Sequence, residues 1–257
     1  APRLYTQRYD KNFIEIQDFG NETVFKTLKK NGKNKLSYFN RIIKLLIQIQ
    51  SIKHRKVKNF RNQNYIIPKY DKKILINEAN LFCDWYAKNN LSKLRKKRFC
   101  KKFKKIIKEL TLKLKLKDNI FVHRDFHVSN LMSVKNQIGL IDSQDALIGN
   151  KAYDLASLID DVRLKTSYSF KEKIFKFYTK KQKNLDIKKF KNDFEILSVL
   201  RNLKIIGIFT RLALRDRKKN YLRFIPYTWQ LINMRIDQNR TFIDLKNLLS
   251  QNFKKIK

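Results

Sequence analysis

The chain has 257 residues, 42% of them hydrophobic and 12% aromatic, which is enough for one large domain or two small ones and excludes a disordered chain. Its formal charge is +38 at pH 7, from 60 Lys and Arg against 22 Asp and Glu. A charge of this size points first to nucleic acid or to an anionic membrane as a partner.

The positive charge has two possible explanations. Lys is spread along the whole chain and accompanies many Asn and Ile residues but only 5 Gly and 3 Pro, a pattern typical of A/T-rich genomes. Basic surface of that origin needs no partner, and we favour this explanation. Nucleic acid is then an unlikely partner, except through the nonspecific attraction that follows from the charge itself.

Targeting signals, cysteines and the first residue of the chain give three further expectations. No window approaches the roughly 18 uninterrupted apolar residues of a membrane span, and no signal peptide opens the chain, so we expect a cytoplasmic protein without a membrane partner. Cys83 and Cys100 lack the spacing of a zinc site and are expected to be buried free thiols. Because the chain starts at Ala1 and leads directly into a strand-like stretch, we expect that upstream sequence is missing.

The first half of the chain predicts one β hairpin and three helices. Two antiparallel strands are expected within residues 3–19. Apolar residues then recur at spacings of three and four over 35–52, 72–88 and 92–115, the pattern of amphipathic helices. The basic face of the third helix is interpreted as solvated surface.

The second half predicts a strand-rich insertion in a helical body. Between residues 119 and 142, short apolar stretches bracket a polar loop and a turn at Lys135 and Asn136, an arrangement that often displays catalytic groups. Apolar periodicity then predicts helices near 153–163, 170–179, 190–215, 221–236 and 241–255.

The polar loop carries the strongest functional signal. His123–Asn130 has the form H-R-D-x-x-x-x-N, and Asp142 follows after one hairpin, as in a kinase catalytic loop with its metal aspartate. Phosphoryl transfer needs a carboxylate near the acceptor hydroxyl and oxygen ligands for magnesium. We therefore assign Asp125 as the base and Asn130 and Asp142 as magnesium ligands.

Two residues are expected to support this loop. Asp154 lies in the first turn of the apolar helix after the hairpin, where a carboxylate is favoured by the helix dipole. Its functional interpretation is a buried carboxylate that accepts backbone N–H groups of the catalytic loop. His123, at the start of the motif, is assigned a supporting role as well.

These motifs resemble the aminoglycoside phosphotransferase superfamily. The segments that carry the resemblance are 122–132, 139–146 and 152–158. Residues 70–86 and 201–222 are similar to its bacterial anomeric kinases of N-acetylmuramate and N-acetylglucosamine, which serve cell-wall (peptidoglycan) recycling. The resemblance covers most of the chain.

The resemblance implies an α+β, protein-kinase-like fold with two lobes and the use of ATP and Mg²⁺. Residues 1–20 would be the end of the N-lobe sheet and the hinge, and residues 21–257 the helical C-lobe, with the catalytic loop and metal hairpin at 119–145. Backbone groups of Gln17, Asp18 and Phe19 would face the adenine.

The chain departs from the family pattern in two places. The phosphate-covering loop and strand lysine of the family should lie before Ala1, since Lys26, Lys29 and Lys30 follow the hinge, so the N-lobe is expected to be truncated. Ser143 stands where the family usually has an aromatic residue, which puts the packing of that turn in doubt.

The acceptor-binding residues are less well defined by the sequence. His127 could contact the acceptor sugar or pack within the loop, and Asp145 could be a sugar ligand or a turn residue. Arg201, Arg211 and Arg215 lie on one long helix, where a forked guanidinium could hold a carboxylate or a hydroxyl. Arginines at the edge of the core are the alternative.

The sequence therefore predicts an ATP-dependent phosphotransferase that acts on a hydroxyl of an amino sugar. Two alternatives remain. One is a kinase of the same superfamily with an aminoglycoside, choline or homoserine acceptor. The other is a noncatalytic basic scaffold that binds nucleic acid through its Lys-rich helices.

Overall fold

The computed structural model of the protein describes residues 1–30, 34–58, 61–135 and 137–253. The chain divides into two units. Unit 1 comprises residues 1–69 and 117–185, and unit 2 comprises residues 70–116 and 186–257. The boundary predicted at residue 20, between the end of an N-lobe with its hinge and a C-lobe, stays a prediction. Within the described ranges, no helix is both long and apolar enough to span a bilayer.

Groups of short strands and groups of helices follow one another along the chain. The strands are β1 (Leu4–Arg8), β2 (Phe13–Ile16), β3 (Lys56–Lys58), β4 (Asn64–Ile66), β5 (Asp118–Val122), β6 (Leu131–Val134), β7 (Gln137–Leu140) and β8 (Leu147–Asn150). The helices are α1 (Val24–Lys30), α2 (Lys35–Gln50), α3 (Lys72–Leu81), α4 (Lys88–Asn90), α5 (Lys93–Leu112), α6 (Ala152–Ile159), α7 (Tyr168–Lys180), α8 (Ile187–Leu214), α9 (Ile225–Ile236) and α10 (Ile243–Asn252).

The N-terminal hairpin agrees with the sequence-based prediction. β1 pairs antiparallel with β2, from Leu4 opposite Ile16 to Arg8 opposite Phe13. Asn12, in the turn before β2, has a positive φ of 52°, which Asn tolerates better than most residues. Neither β3 nor β4 was predicted; they form a second antiparallel hairpin, with Val57 opposite Tyr65.

Four strands in unit 1 frame the predicted catalytic segment. β5 pairs antiparallel with β8, and β6 pairs antiparallel with β7 between them in sequence. Consequently the polar loop 123–130 joins β5 to β6, and the segment 141–146 joins β7 to β8. β8 was not predicted. Of the predicted turn, Lys135 has a φ of 47°, and Asn136 lies outside the described residues.

Helices α2 and α7 support the same unit through apolar and polar contacts. Phe39 of α2 meets Phe170 of α7 edge to face, with ring centroids 5.0 Å apart. Tyr178 donates a hydrogen bond to Gln50 Oε1 at 2.6 Å, and Gln50 Nε2 donates to the carbonyl of Lys151 at 2.9 Å. This chain of contacts holds the residue that immediately precedes α6.

Unit 2 is a helical body with an aromatic core. Phe82 stacks on Phe103 with ring centroids 5.5 Å apart and meets Trp229 edge to face at 5.6 Å. A Cβ on Gly207 of α8 would lie 2.4 Å from the carbonyl carbon of Leu81, so glycine is required where α8 crosses α3.

The helix that begins as α3 changes its winding within this core. Residues 82–87 form a π-helical turn that leads into α4, whereas the sequence pattern predicted one continuous helix over 72–88. Cys83 within this turn is buried, and burial raises the pKa of its thiol. Cys100 is partly exposed, so the expectation of two buried thiols was correct for Cys83 and wrong for Cys100.

Candidate active site

The loop between β5 and β6 is held in shape by its own backbone. The N–H of His127 donates to the carbonyl of Asp125 at 3.0 Å, and the N–H of Asn130 donates to the carbonyl of His127 at 2.9 Å. Arg124 has a φ of 72°, a conformation that costs an L-residue about 1 kcal/mol or more. Consequently the loop turns back on itself and places Asp125 and Asn130 near each other.

Asp154 fixes the start of this loop. Its carboxylate is fully buried and accepts the N–H groups of His123 at 2.7 Å and Arg124 at 3.0 Å. A carboxylate that accepts two N–H groups forms charge-assisted hydrogen bonds, which are stronger than neutral ones. These bonds stabilise the left-handed conformation of Arg124 immediately before Asp125.

His123 connects the loop to the end of β7. Its Nε2 lies 3.1 Å from the carbonyl of Ile141, and because a carbonyl can only accept, Nε2 carries the proton. Burial lowers the pKa of the imidazole below its ordinary value, so the ring is neutral near pH 7. The contact ties His123 to Ile141, the residue immediately before Asp142.

Asn130 links Asp125 to Asp142. Its Nδ2 donates to the backbone carbonyl of Asp125 at 3.1 Å and to Asp142 Oδ2 at 3.2 Å. Gln144 Nε2 donates to the other carboxylate oxygen of Asp142 at 2.5 Å. Both bonds of Asn130 use the amide nitrogen, so Oδ1 is the atom that could bind a cation.

The donor set fits magnesium. Asp142 is exposed, has a φ of 70° and presents a carboxylate, while Asn130 offers an amide oxygen. Mg²⁺ prefers oxygen ligands and usually keeps several waters and substrate phosphates, so two side chains suffice. Within the described residues, no cluster of three or more His, Cys, Asp or Glu could hold a metal, which is unlike a zinc site.

The segment predicted to face the adenine runs beside the β6–β7 hairpin. The Phe19 ring lies against Gly139, where a Cβ would come within 2.5 Å of it. The carbonyl of Glu22 accepts the N–H of Ser133 at 2.8 Å. The N–H of Gln17 donates to the carbonyl of Arg3 at 2.8 Å, and Asp18 Oδ1 accepts the N–H of Gly20 at 2.7 Å. Adenine binding by residues 17–19 remains a prediction.

The lysines that follow this segment make local contacts. Lys26 Nζ donates to the carbonyl of Asn21 at 2.8 Å, and Lys30 pairs with Glu22 at 3.0 Å. Lys29 Nζ lies 5.1 Å from the centre of the Phe25 ring.

The turn after Asp142 contains Ser143, which stands where the family usually has an aromatic residue. The carbonyl of Ser143 accepts the N–H of Ala146 at 3.1 Å.

Two acceptor candidates lie close to the loop in unit 1. The side chain of His127 is only 5% exposed, and its backbone takes part in the turns described above. Asp145 is exposed, and its backbone carbonyl accepts a hydrogen bond from Arg124 Nη1 at 3.1 Å. This bond ties the segment after Asp142 to the catalytic loop.

The three candidate arginines lie on α8 or directly after it, in unit 2. Arg201 is buried, and among the described residues its Nη1 has no hydrogen-bond partner; the same holds for Nε of Arg211. Arg215 is exposed and binds Asp216 through two contacts of 2.7 and 3.1 Å. Arg201 is therefore better suited than Arg215 to hold a ligand.

Sequence reasoning missed the contact of Asp161 with the catalytic loop. Asp161 is almost fully buried and accepts the N–H of Val128 at 3.2 Å. Asp161 lies two residues beyond the end of α6, and Val128 lies 33 residues before Asp161, so no local sequence pattern indicated this contact. Val128, which Asp161 binds, lies between Asp125 and Asn130 in the sequence.

The family of the chain follows from its sequence. The profile described as "Phosphotransferase enzyme family" matches residues 21–185, which include the whole of the loop and hairpin described above. The chain belongs to this phosphotransferase family. It is a transferase that acts on a hydroxyl of a small molecule, as predicted from the catalytic motif.

Curated relatives of this phosphotransferase carry one name. The chain is 27% identical over 232 residues to an N-acetylmuramate/N-acetylglucosamine kinase of Neisseria meningitidis, covering 88% of the chain and 67% of that protein. It is 28% identical over 256 residues to the protein of the same name from Pseudomonas aeruginosa, covering 97% and 72%.

Solved structures confirm the predicted kinase-like fold. An ethanolamine kinase of Plasmodium vivax matches the phosphotransferase with a TM-score of 0.62 at 12% identity, over 93% of this chain and 70% of the other. An ADP-bound aminoglycoside phosphotransferase matches with a TM-score of 0.55 at 16% identity, over 91% and 76%. At these identities the likeness shows the fold alone.

Proposed function

We propose that this phosphotransferase transfers the γ-phosphoryl group of ATP to the anomeric hydroxyl of N-acetylmuramate or N-acetylglucosamine in cell-wall recycling. The observation that carries the proposal is the link made by Asn130, which binds the backbone of Asp125 and the carboxylate of Asp142 at once. One side chain thereby sets the distance between the proposed base and the proposed metal ligands.

The proposed roles divide the chemistry between these residues. Asp125 orients the acceptor hydroxyl and takes its proton as the hydroxyl oxygen bonds to phosphorus and the bond to the leaving ADP breaks. Asn130 Oδ1 and Asp142 would hold magnesium, which supplies positive charge to the phosphate oxygens when bound. Asp154 fixes the backbone immediately before Asp125, and His123 ties that backbone to the carbonyl of Ile141, next to Asp142.

The amino-sugar acceptor rests on the relatives and on one feature of unit 2. The curated relatives named above are N-acetylmuramate/N-acetylglucosamine kinases. Arg201 offers a buried guanidinium nitrogen without a partner among the described residues, and guanidinium binds carboxylates in a forked geometry. Of the two sugars, only N-acetylmuramate carries a lactyl carboxylate, so Arg201 favours N-acetylmuramate.

Phosphorus NMR on the chain tests the donor and the acceptor together. Magnesium ATP is incubated in turn with N-acetylmuramate, N-acetylglucosamine, choline and kanamycin, and GTP replaces ATP in a parallel series. We expect a sugar 1-phosphate resonance with ATP and either amino sugar. Transfer to choline or kanamycin instead would keep the phosphotransferase and refute the amino-sugar acceptor, while transfer only from GTP would refute ATP as the donor.

A further inference from the structure

We propose that Asp161 is a positioning residue for the metal-binding end of the catalytic loop. The inference rests on the proposed function, because it concerns how Asn130 is presented to magnesium. Asp161 acts through the peptide unit between His127 and Val128, whose N–H it binds.

The carboxylate of Asp161 has two separate tasks. Its side chain is 1% exposed. Oδ2 accepts the N–H of Val128 at 3.2 Å, while Oδ1 accepts the N–H of Arg163 at 3.0 Å and lies 3.5 Å from Arg163 Nη1. The positive charge of Arg163 compensates a buried carboxylate that would otherwise be costly. One oxygen is thereby left for the loop.

The His127–Val128 peptide transmits the position of Asp161 to Asn130. A peptide unit is planar, so its N–H and its carbonyl have a fixed relative orientation. The N–H of this unit is bound to Asp161, and its carbonyl accepts the N–H of Asn130 at 2.9 Å. Fixing one side of the plane therefore fixes the acceptor that holds the backbone of Asn130.

The next peptide unit is held as well. The carbonyl of Val128 accepts the N–H of Phe25, in the first turn of α1, at 3.1 Å. Val128 is therefore bound through its N–H to Asp161, just beyond α6, and through its carbonyl to Phe25 of α1. The middle of the loop has little freedom to move while both bonds are present.

Asp154 and Asp161 divide the loop between them. Asp154 binds the N–H groups of His123 and Arg124, before the proposed base, and Asp161 binds the N–H of Val128, after it. Loss of Asp154 should therefore affect the base, whereas loss of Asp161 should affect the metal ligand. This difference separates the proposed role of Asp161 from general support of the fold.

An isosteric substitution exposes that role. In Asp161→Asn, the side chain keeps one acceptor oxygen and gains an NH₂ group, which is a donor only. Whichever way the amide turns, a donor faces either the N–H of Val128 or the N–H of Arg163. The amide cannot serve both partners, so the hold on the loop is weakened with almost no change in volume.

Asp160→Asn is the matched control. Asp160 is also fully buried, and it pairs with the buried Lys171, whose Nζ lies 3.2 Å from Asp160 Oδ1 and donates to the carbonyl of Ile159 at 2.6 Å. Both variants remove one buried negative charge, at adjacent positions. Asp161 binds the N–H of Val128 in the catalytic loop, whereas Asp160 pairs with Lys171 of α7.

The experiment combines amide hydrogen exchange with Mn²⁺ binding on the full chain. We expect Asp161→Asn to speed exchange of the Val128 and Asn130 amides and to raise the Kd for Mn²⁺, measured by electron paramagnetic resonance, each by about tenfold. The magnesium concentration for half-maximal turnover should rise by a similar factor, with the acceptor KM unchanged. Asp160→Asn, which breaks a buried ion pair and lowers global stability, should leave the Mn²⁺ affinity and the magnesium requirement as in the parent chain.

Three results would overturn the inference. The first is a Val128 amide that exchanges at the rate of an exposed loop in the parent chain, which decides the matter even if Asp161→Asn does not fold. The second is Asp161→Asn with parental Mn²⁺ affinity, and the third is an equal loss of affinity in Asp160→Asn. Failure of the proposed function would appear separately, as unchanged turnover in Asp125→Asn.

Discussion

Asp154 in unit 1 and Asp193 in unit 2 each bind two consecutive backbone N–H groups through one carboxylate. Asp154 in unit 1 accepts the consecutive N–H groups of His123 and Arg124 at 2.7 and 3.0 Å. Asp193 in unit 2 accepts those of Lys115 and Leu116, both at 2.8 Å. Both carboxylates are fully buried. The local chemistry is the same in the two places.

The two contacts differ in what the bound backbone leads to. The N–H groups at Asp154 belong to the loop that carries Asp125, whereas those at Asp193 belong to the connection that follows α5. Asn192 reinforces that connection by donating to the carbonyl of Lys113 at 2.9 Å. A buried carboxylate on consecutive N–H groups therefore stabilises the fold in both units, and we propose that Asp154 has a role in catalysis because the backbone it binds leads to Asp125.

The largest expected effect is the loss of turnover on substitution of Asp142, the proposed metal ligand in unit 1. Asp142→Asn removes the exposed carboxylate that faces Asn130, and a metal ion contributes several kcal/mol to phosphoryl transfer, so turnover should fall roughly a thousandfold. Mn²⁺ binding should weaken in parallel. Asp244→Asn, an exposed position in α10, is the control and should change neither. Parental turnover in Asp142→Asn would remove Asp142 from the metal site.

Substituting the paired aspartates tests the comparison itself. Asp154→Asn and Asp193→Asn should each lower the thermal midpoint by roughly 5–10 °C, because each removes charge-assisted bonds to two buried N–H groups. Only Asp154→Asn should also lower turnover, by about 10–100-fold, since residues that orient a catalytic group have effects of that size. An equal loss of turnover in Asp193→Asn would break the distinction between the two units.

A smaller effect is expected if unit 2 contributes to acceptor recognition. Arg201→Lys keeps the charge but loses the forked geometry, so the KM for N-acetylmuramate should rise about tenfold while that for N-acetylglucosamine changes little. Arg215→Lys should alter neither value, because Asp216 already occupies that guanidinium. Equal effects on both sugars would indicate that Arg201 only supports the fold.

The smallest expected effect is the pH dependence of stability. The pKa of His123 is lowered by burial, so the unfolded chain binds the proton more readily, and stability is lost as pH falls below about 6.5. All three histidines of the chain, His54, His123 and His127, lie in unit 1. Thermal midpoints between pH 7.5 and 5.5 should fall less in His123→Asn than in the parent chain; identical slopes would contradict the assignment.

The residues proposed from the sequence as base and metal ligands lie in one short segment. H-R-D-x-x-x-x-N and the Asp after the hairpin lie within 20 residues, and the structure brings Asn130 to both Asp125 and Asp142. The long helices were predicted because an apolar stripe with a period near 3.6 is a strong signal. Their ends shifted by a few residues, as fraying ends do.

Other features depend on partners far away in the chain. β8 has four residues without alternation, and only its pairing with β5, some 25 residues earlier, makes it a strand. Asp161 and Asp193 bind backbone groups 33 and 78 residues away, which no local pattern reveals. The π-helical turn at 82–87 escaped notice because apolar spacing there also suits an ordinary helix.

The most direct test of the account compares the parent chain with Asp125→Asn by phosphorus NMR, with magnesium ATP and N-acetylmuramate at equal protein concentration. Asp125→Asn keeps the size of the side chain and removes the base. We expect a sugar 1-phosphate resonance that grows with the parent chain and grows about 10²–10⁴-fold more slowly with the variant. Equal rates in the two samples would contradict it.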